Sequence, residues 1–206
     1  MIRILVTAFG AFPGAPSNPT IAVAHRLERR RRALALAGID IVTTVLPVHF
    51  EGTQERLEQL LAEIAPDAVL HLGLAGRRRK ISVETRALNR LSILRAGSDR
   101  RVSATMVATP GGPFQRRSRY DAPALARTIS NGGADAGLSI DAGDYLCNQT
   151  LYLSLAMHEL PCGFIHIPSP RRRRRRNVPT GGRSRPTLAQ IASGIEAAVR
   201  ELAKSV

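Results

Sequence analysis

The chain has no tryptophan, and aromatic residues make up only 4% of its 206 positions. None of the few aromatics is interleaved with the basic runs, which argues against a surface that stacks on single-stranded bases. Cysteine is almost as scarce. Two residues are too few for a disulfide framework and point to a reducing, cytoplasmic setting. No apolar run reaches the roughly 18 residues that a membrane span needs. The apolar start, Met1 to Thr7, reads as a first buried strand and not as a signal peptide. Acidic residues are also in deficit, 16 against 30 Lys and Arg.

The resulting charge of +14 is local. Three clusters, Arg29 to Arg32, Arg77 to Lys80 and Arg171 to Arg176, account for the whole excess, and the rest of the chain is balanced. Weak, salt-sensitive attraction to nucleic acid or another polyanion follows from such runs. The Arg171 to Arg176 run lies among proline and glycine clusters and reads as a mobile, solvated loop.

What is present is ample apolar material. A hydrophobic content of 44% excludes a mostly disordered chain, and the length suits a single domain, 1–206, with a sizeable core. Apolar β-type runs alternate with helical patterns. Strands are expected at Ile2–Thr7, Ile39–Val45, Ala68–Leu72, Ile81–Ala87, Leu138–Ile140 and Gly163–Ile167. Helices are expected at Pro19–Ala37, Thr53–Ile64, Ala122–Ser130, Leu146–Glu159 and Leu188–Ala203. Asn18 and Thr187 are the N-caps of the first and last helix, and Gln190 stands at capping-box spacing from Thr187. The alternation predicts a three-layer α/β/α domain with a mostly parallel, twisted central sheet. Sites in such sheets gather at the carboxyl ends of strands. The stretches Arg90 to Tyr120 and Pro168 to Pro186 lack periodicity; the first is expected to be a long excursion, as a hairpin near the site or at an interface.

Chemistry concentrates at Cys147, in Gly143-Asp144-Tyr145-Leu146-Cys147-Asn148, where a loop turns into a helix. Unpaired N–H groups at a helix start stabilise a thiolate. His166, in Gly163-Phe164-Ile165-His166-Ile167-Pro168, ends the next apolar run and can act as base and then as acid. Either residue alone is as well explained by core packing; together they read as nucleophile and proton shuttle. There is no HExxH, no GxxxxGK[ST] and no close Cys/His cluster, so neither zinc nor a nucleotide is required.

Four segments occur in one order: Phe9-Gly10-Ala11-Phe12 with Asn18-Pro19, then Gly73 to Asn89 (GLAGRRRKISVETRALN), Tyr145-Leu146-Cys147-Asn148, and Gly163 to Pro168 (GFIHIP). Together they resemble the pyroglutamyl-peptidase I family, also called pyrrolidone-carboxylate peptidase. The resemblance implies a cytosolic cysteine peptidase that removes an N-terminal pyroglutamyl residue from peptides, without a cofactor. It maps the nucleophile onto Cys147, the base onto His166 and the orienting acid onto Glu84, and it implies a homotetramer or dimer of α/β/α subunits. Phe9 and Phe12 resemble the family's aromatic pair and can sandwich a flat lactam. Leu74 stands where many members carry Gln.

The chemistry of the residues agrees. Glu84 can hold the imidazole as the carboxylate of a Ser-His-Asp triad does, and the Cys147 N–H is the expected oxyanion donor. Asp99 and Asp144 are the competing acids, with Asp144 expected to point away from the thiol. Cys162 and His71 are expected in the core, Asn18 at its cap, and His25, His49 and His158 in structural or surface roles. Two other readings stand beside this one: a catalytically altered relative that binds polyanions through its basic surface, and an α/β enzyme acting on nucleosides, supported by fold analogy alone.

Overall fold

The computed structural model describes residues 1–171 and 184–206. Most of the Arg171 to Arg176 run therefore lies outside the described residues. Among the described residues, eight strands and six helices are arranged as β1 (Ile2–Phe9), α1 (Pro19–Arg29), α2 (Arg31–Ala35), β2 (Ile39–Leu46), α3 (Thr53–Ile64), β3 (Ala68–Leu74), β4 (Ile81–Glu84), β5 (Arg86–Leu88), β6 (Gln115–Arg117), α4 (Ala122–Asn131), β7 (Ala136–Ser139), α5 (Leu146–Met157), β8 (Cys162–Ile167) and α6 (Leu188–Leu202). Six strands form one sheet in the order β2-β1-β3-β8-β4-β7, and β5 pairs with β6 in a separate ribbon. Every pair in the main sheet is parallel except β4 with β8.

The sheet is buried on both faces, as parallel sheets are. Alternation along each strand divides its side chains. Ile4, Val6, Leu70, Leu72, Ile81, Val83, Ile165 and Ile167 pack with α1, α4 and α6. Leu5, Phe9, Val69, Cys162 and Phe164 pack with α3 and α5 on the other face. The same alternation places Gly73, Ser82, Glu84 and His166 on the α5 side.

Two expected elements are divided. The helix expected over Pro19–Ala37 turns at Arg30, whose N–H bonds to Leu27 O at 2.8 Å. Its apolar face continues across the turn, since Leu27 and Leu34, a heptad apart, are both buried. The strand expected over Ile81–Ala87 parts at Thr85, whose N–H and hydroxyl both bond to Ser139 O at the end of β7. The chain there leaves the sheet and pairs with β6, a strand without a sequence signal. The excursion that follows is tied back by Asn89, which donates to Thr109 O and Gly112 O and accepts from Thr109 N–H. The caps fall where expected. Asn18 Oδ1 accepts from Thr20 N–H, and Thr187 and Gln190 form a capping box.

Candidate active site

Glu84 ends β4, His166 stands one residue before the end of β8, and Cys147 is the second residue of α5. Because α5 covers the sheet face to which Glu84 and His166 point, the three meet although they are far apart in sequence. β4 runs against β8, with Ser82 opposite His166 and Glu84 opposite Phe164. The site thus occupies the place where strand direction reverses, at the carboxyl ends of β1, β3 and β8.

His166 Nδ1 lies 2.8 Å from Glu84 Oε1, and both side chains are almost wholly buried. The other ring nitrogen is left for Cys147, to which the imidazole is also hydrogen-bonded. Burial alone would lower the His166 pKa. The negative charge of Cys147, its hydrogen bond and the Glu84 carboxylate outweigh burial and raise it to about 9. Tyr145, the N-cap of α5, makes no side-chain cap, so the N–H groups of the first turn are not claimed by it. Gly73 leaves room for the Cys147 thiol. A Cβ there would stand 2.9 Å from Cys147 Sγ and 2.6 Å from the Phe164 ring.

A cavity of about 900 Å³ opens over Cys147 and His166, with Phe9, Phe12, Leu74 and Arg95 in its wall. It is larger than a lone lactam ring needs, and its size falls within the usual range for ligand pockets. Phe9 packs against Phe164 with ring centroids 6.2 Å apart, and Phe12 lies 6.0 Å from Tyr145. Asn18 does more than cap α1, since its Nδ2 donates to Gly10 O at 3.1 Å and anchors the loop that carries Phe12.

The competing residues are placed elsewhere. Asp144 pairs with Arg95 at 3.2 Å, and exposed Asp99 caps Arg101 N–H. Cys162 is buried, and burial pushes its thiol up to about 12. His71 is buried between Thr7 Oγ1 at 2.8 Å and Ser154 Oγ at 2.9 Å, and burial lowers its pKa to about 3. Among the described residues no group of three or more His, Cys, Asp or Glu is placed to hold a metal ion. No helix among them is long and apolar enough to cross a membrane.

Three contributors were not read from the sequence. Arg78, inside a run that reads as surface charge, donates to Glu84 Oε1 at 2.6 Å and to Asp141 O at 2.7 Å. Tyr120 lays its ring where a Cβ on Gly163 would otherwise stand. Its hydroxyl reaches Glu84 O at 2.8 Å and accepts from Phe164 N–H at 3.2 Å, pinning β4 to β8 behind the site. Asn148 accepts from Leu88 N–H and donates to Leu88 O and Arg90 O, which fixes the excursion to the helix turn that bears Cys147. Asn148 stands within the motif around Cys147, and that adjacency was the one signal available.

The family model for pyroglutamyl peptidase matches residues 2–204. A pyrrolidone-carboxylate peptidase of Pyrococcus furiosus is 34% identical over 172 residues, 81% of each chain. Pyrrolidone-carboxylate peptidase 1 of Ralstonia nicotianae is 32% identical over 173 residues, 82% of this chain and 79% of its own. Among solved structures, pyrrolidone carboxyl peptidase of Thermus thermophilus superposes with a TM-score of 0.79 at 32% identity, covering 96% of this chain and 99% of the other.

Proposed function

The chain belongs to the pyroglutamyl peptidase family and hydrolyses the amide bond after an N-terminal pyroglutamyl residue, and on that premise we propose that Cys147 is its nucleophile, His166 its proton shuttle and Glu84 the carboxylate that orients the imidazole. The observation that carries this assignment is the line from Cys147 through His166 to Glu84, with Cys147 and His166 in the lining of the cavity and Glu84 buried behind them. The thiolate adds to the pyroglutamyl carbonyl, and the first-turn N–H of Cys147 meets the developing oxyanion. The imidazolium gives its proton to the departing amine. Water then attacks the thioester, with His166 taking its proton and Cys147 leaving as thiolate. Glu84 keeps the Nδ1 hydrogen in place throughout, so that the other nitrogen always faces the reaction.

Phe9, Phe12 and Leu74 would enclose the lactam ring. Leu74 supplies an apolar wall, so the ring's polar edge would be met by other groups of the cavity lining. The chain, 1–206, is read as one domain that works in the reducing cytoplasm, where its free thiol persists. It is also read as a homo-oligomer, tetramer or dimer. Leu94, Met106 and Phe114 stand 88%, 68% and 77% exposed on the excursion, and a second copy would cover such side chains. Nothing in the comparisons favours the polyanion-binding alternative. The test is cleavage of pyroglutamyl-aminomethylcoumarin with and without iodoacetamide. Release of coumarin that alkylation abolishes supports the assignment, and release that survives complete alkylation sinks the cysteine mechanism.

A further inference from the structure

Glu84 is the one carboxylate behind the imidazole, it is wholly buried, and it carries a second partner that the mechanism above does not use. His166 Nδ1 and Arg78 Nη1 both approach Oε1, at 2.8 and 2.6 Å, while Oε2 is buried without a hydrogen-bond partner. The other arm of the guanidinium, Nη2, donates to Asp141 O at 2.7 Å. Asp141 Oδ1 accepts in turn from Gly143 N–H at 2.9 Å and from Arg90 Nη2 at 2.7 Å. One side chain therefore ties the orienting carboxylate to the loop that delivers Cys147. Arg78 is about one-third exposed and borders the cavity.

We propose, resting on the peptidase reading, that Arg78 is a positioning residue whose charge matters most after the first product has left. In the free enzyme two cationic partners, the imidazolium and the Arg78 guanidinium, face Glu84. Once that proton has gone to the leaving amine, the imidazole is neutral. Among the described residues, Arg78 is then the positive group still bonded to Glu84. A buried carboxylate without a cationic partner takes up a proton. A protonated Glu84 would donate to Nδ1, and the ring's own hydrogen would move to Nε2, which faces the thioester. In that tautomer Nε2 cannot accept a proton from water. Deacylation needs the opposite arrangement. Water oxygen bonds to the acyl carbon, one water proton passes to Nε2, the carbon–sulfur bond breaks, and pyroglutamic acid leaves the Cys147 thiolate facing an imidazolium. Arg78 keeps Glu84 an acceptor so that this tautomer persists.

A pyroglutamyl p-nitrophenyl ester, which acylates readily, isolates the step. Arg78→Gln is expected to keep a stoichiometric burst of nitrophenol and to lose steady-state turnover by about tenfold to a hundredfold, as removal of a supporting partner does at other sites. Its acid limb for deacylation should move to higher pH. Guanidinium ion added to Arg78→Ala should restore part of the rate, because the position borders the cavity. A slowed burst with unchanged turnover of the acyl-enzyme, or an unmoved acid limb, overturns the proposal. Should Arg78→Gln not fold, Arg78→Lys carries the test: as a single donor it should move the acid limb in the same direction by less, and an unmoved limb again overturns it. Absence of any burst in the unmodified enzyme would instead sink the peptidase reading itself.

Discussion

Two places on neighbouring strands each hold a histidine and a cysteine, and they behave in opposite ways. In the sheet interior, His71 and Cys162 flank Phe164 on β3 and β8. At the carboxyl end of the same strands, His166 meets Cys147, and its ring lies 4.8 Å from Phe164 on the other side. Both imidazoles are buried. One is held neutral, with its pKa near 3, by burial and by the neighbouring His158, and its hydroxyl partners offer no opposing charge; the other is raised to near 9 because Cys147 and Glu84 outweigh the same burial. Burial sets the stakes, and the charge of the partners decides the sign. A catalytic group therefore cannot be told from a core group by residue type or by burial, only by what stands beside it.

The contrast breaks most sharply through the cysteines. Cys147→Ala is expected to abolish coumarin release, while Cys162→Ala should keep most of kcat/KM and lose about 1–2 kcal/mol of stability through a small cavity. Equal loss of activity in both folded variants would erase the distinction. Next comes Glu84→Gln. Loss of the carboxylate bonded to His166 should lower kcat by about 10²- to 10⁴-fold with KM little changed if Glu84 orients the imidazole as proposed, and a change confined to KM would make Glu84 a pocket residue. Gly73→Ala should follow, since its methyl group would crowd Cys147 Sγ; a drop in kcat of about tenfold or more in a folded protein is expected, measured with the same substrate.

The histidines sharpen the comparison through pH. His71 has a folded pKa below its ordinary 6.5, so the unfolded chain binds more protons between about pH 6.5 and 3. Its contribution is present above 6.5 and is lost as pH falls, at up to about 1.4 kcal/mol per unit. His166 has a folded pKa above 6.5, so its contribution is present below 6.5 and is lost as pH rises toward 9. Urea melts should show that His71→Gln flattens the acid side and His166→Gln the alkaline side. A single slope shared by both variants would contradict the assignment. The smallest effect is expected from the arginine run outside the described residues. Replacing Arg172 to Arg176 with Gly and Ser should leave kcat/KM for a neutral substrate within about threefold, under roughly 1 kcal/mol, and should shift only heparin retention at low salt.

The sequence by itself determined most of the elements and their alternation, because strand and helix periodicities are local properties. It located the caps at Asn18 and Thr187, whose partners lie within three residues. Together with the family resemblance it named Cys147, His166 and Glu84, since the loop-to-helix junction around Cys147 has a local reason. Other features belonged to the tertiary structure. The reversal of β4 against β8 brings Glu84 to His166, and no local pattern encodes a strand's direction. The departure at Thr85 depends on Ser139, a residue from another strand. Arg78 reads as one charge in a solvated run until a buried carboxylate stands 2.6 Å away. The opposite titration of His71 and His166 was likewise undecidable from the chain. A pKa shift sums burial and the fields of neighbours brought close by folding, here His158 for His71 and Cys147 and Glu84 for His166, none of them adjacent in sequence.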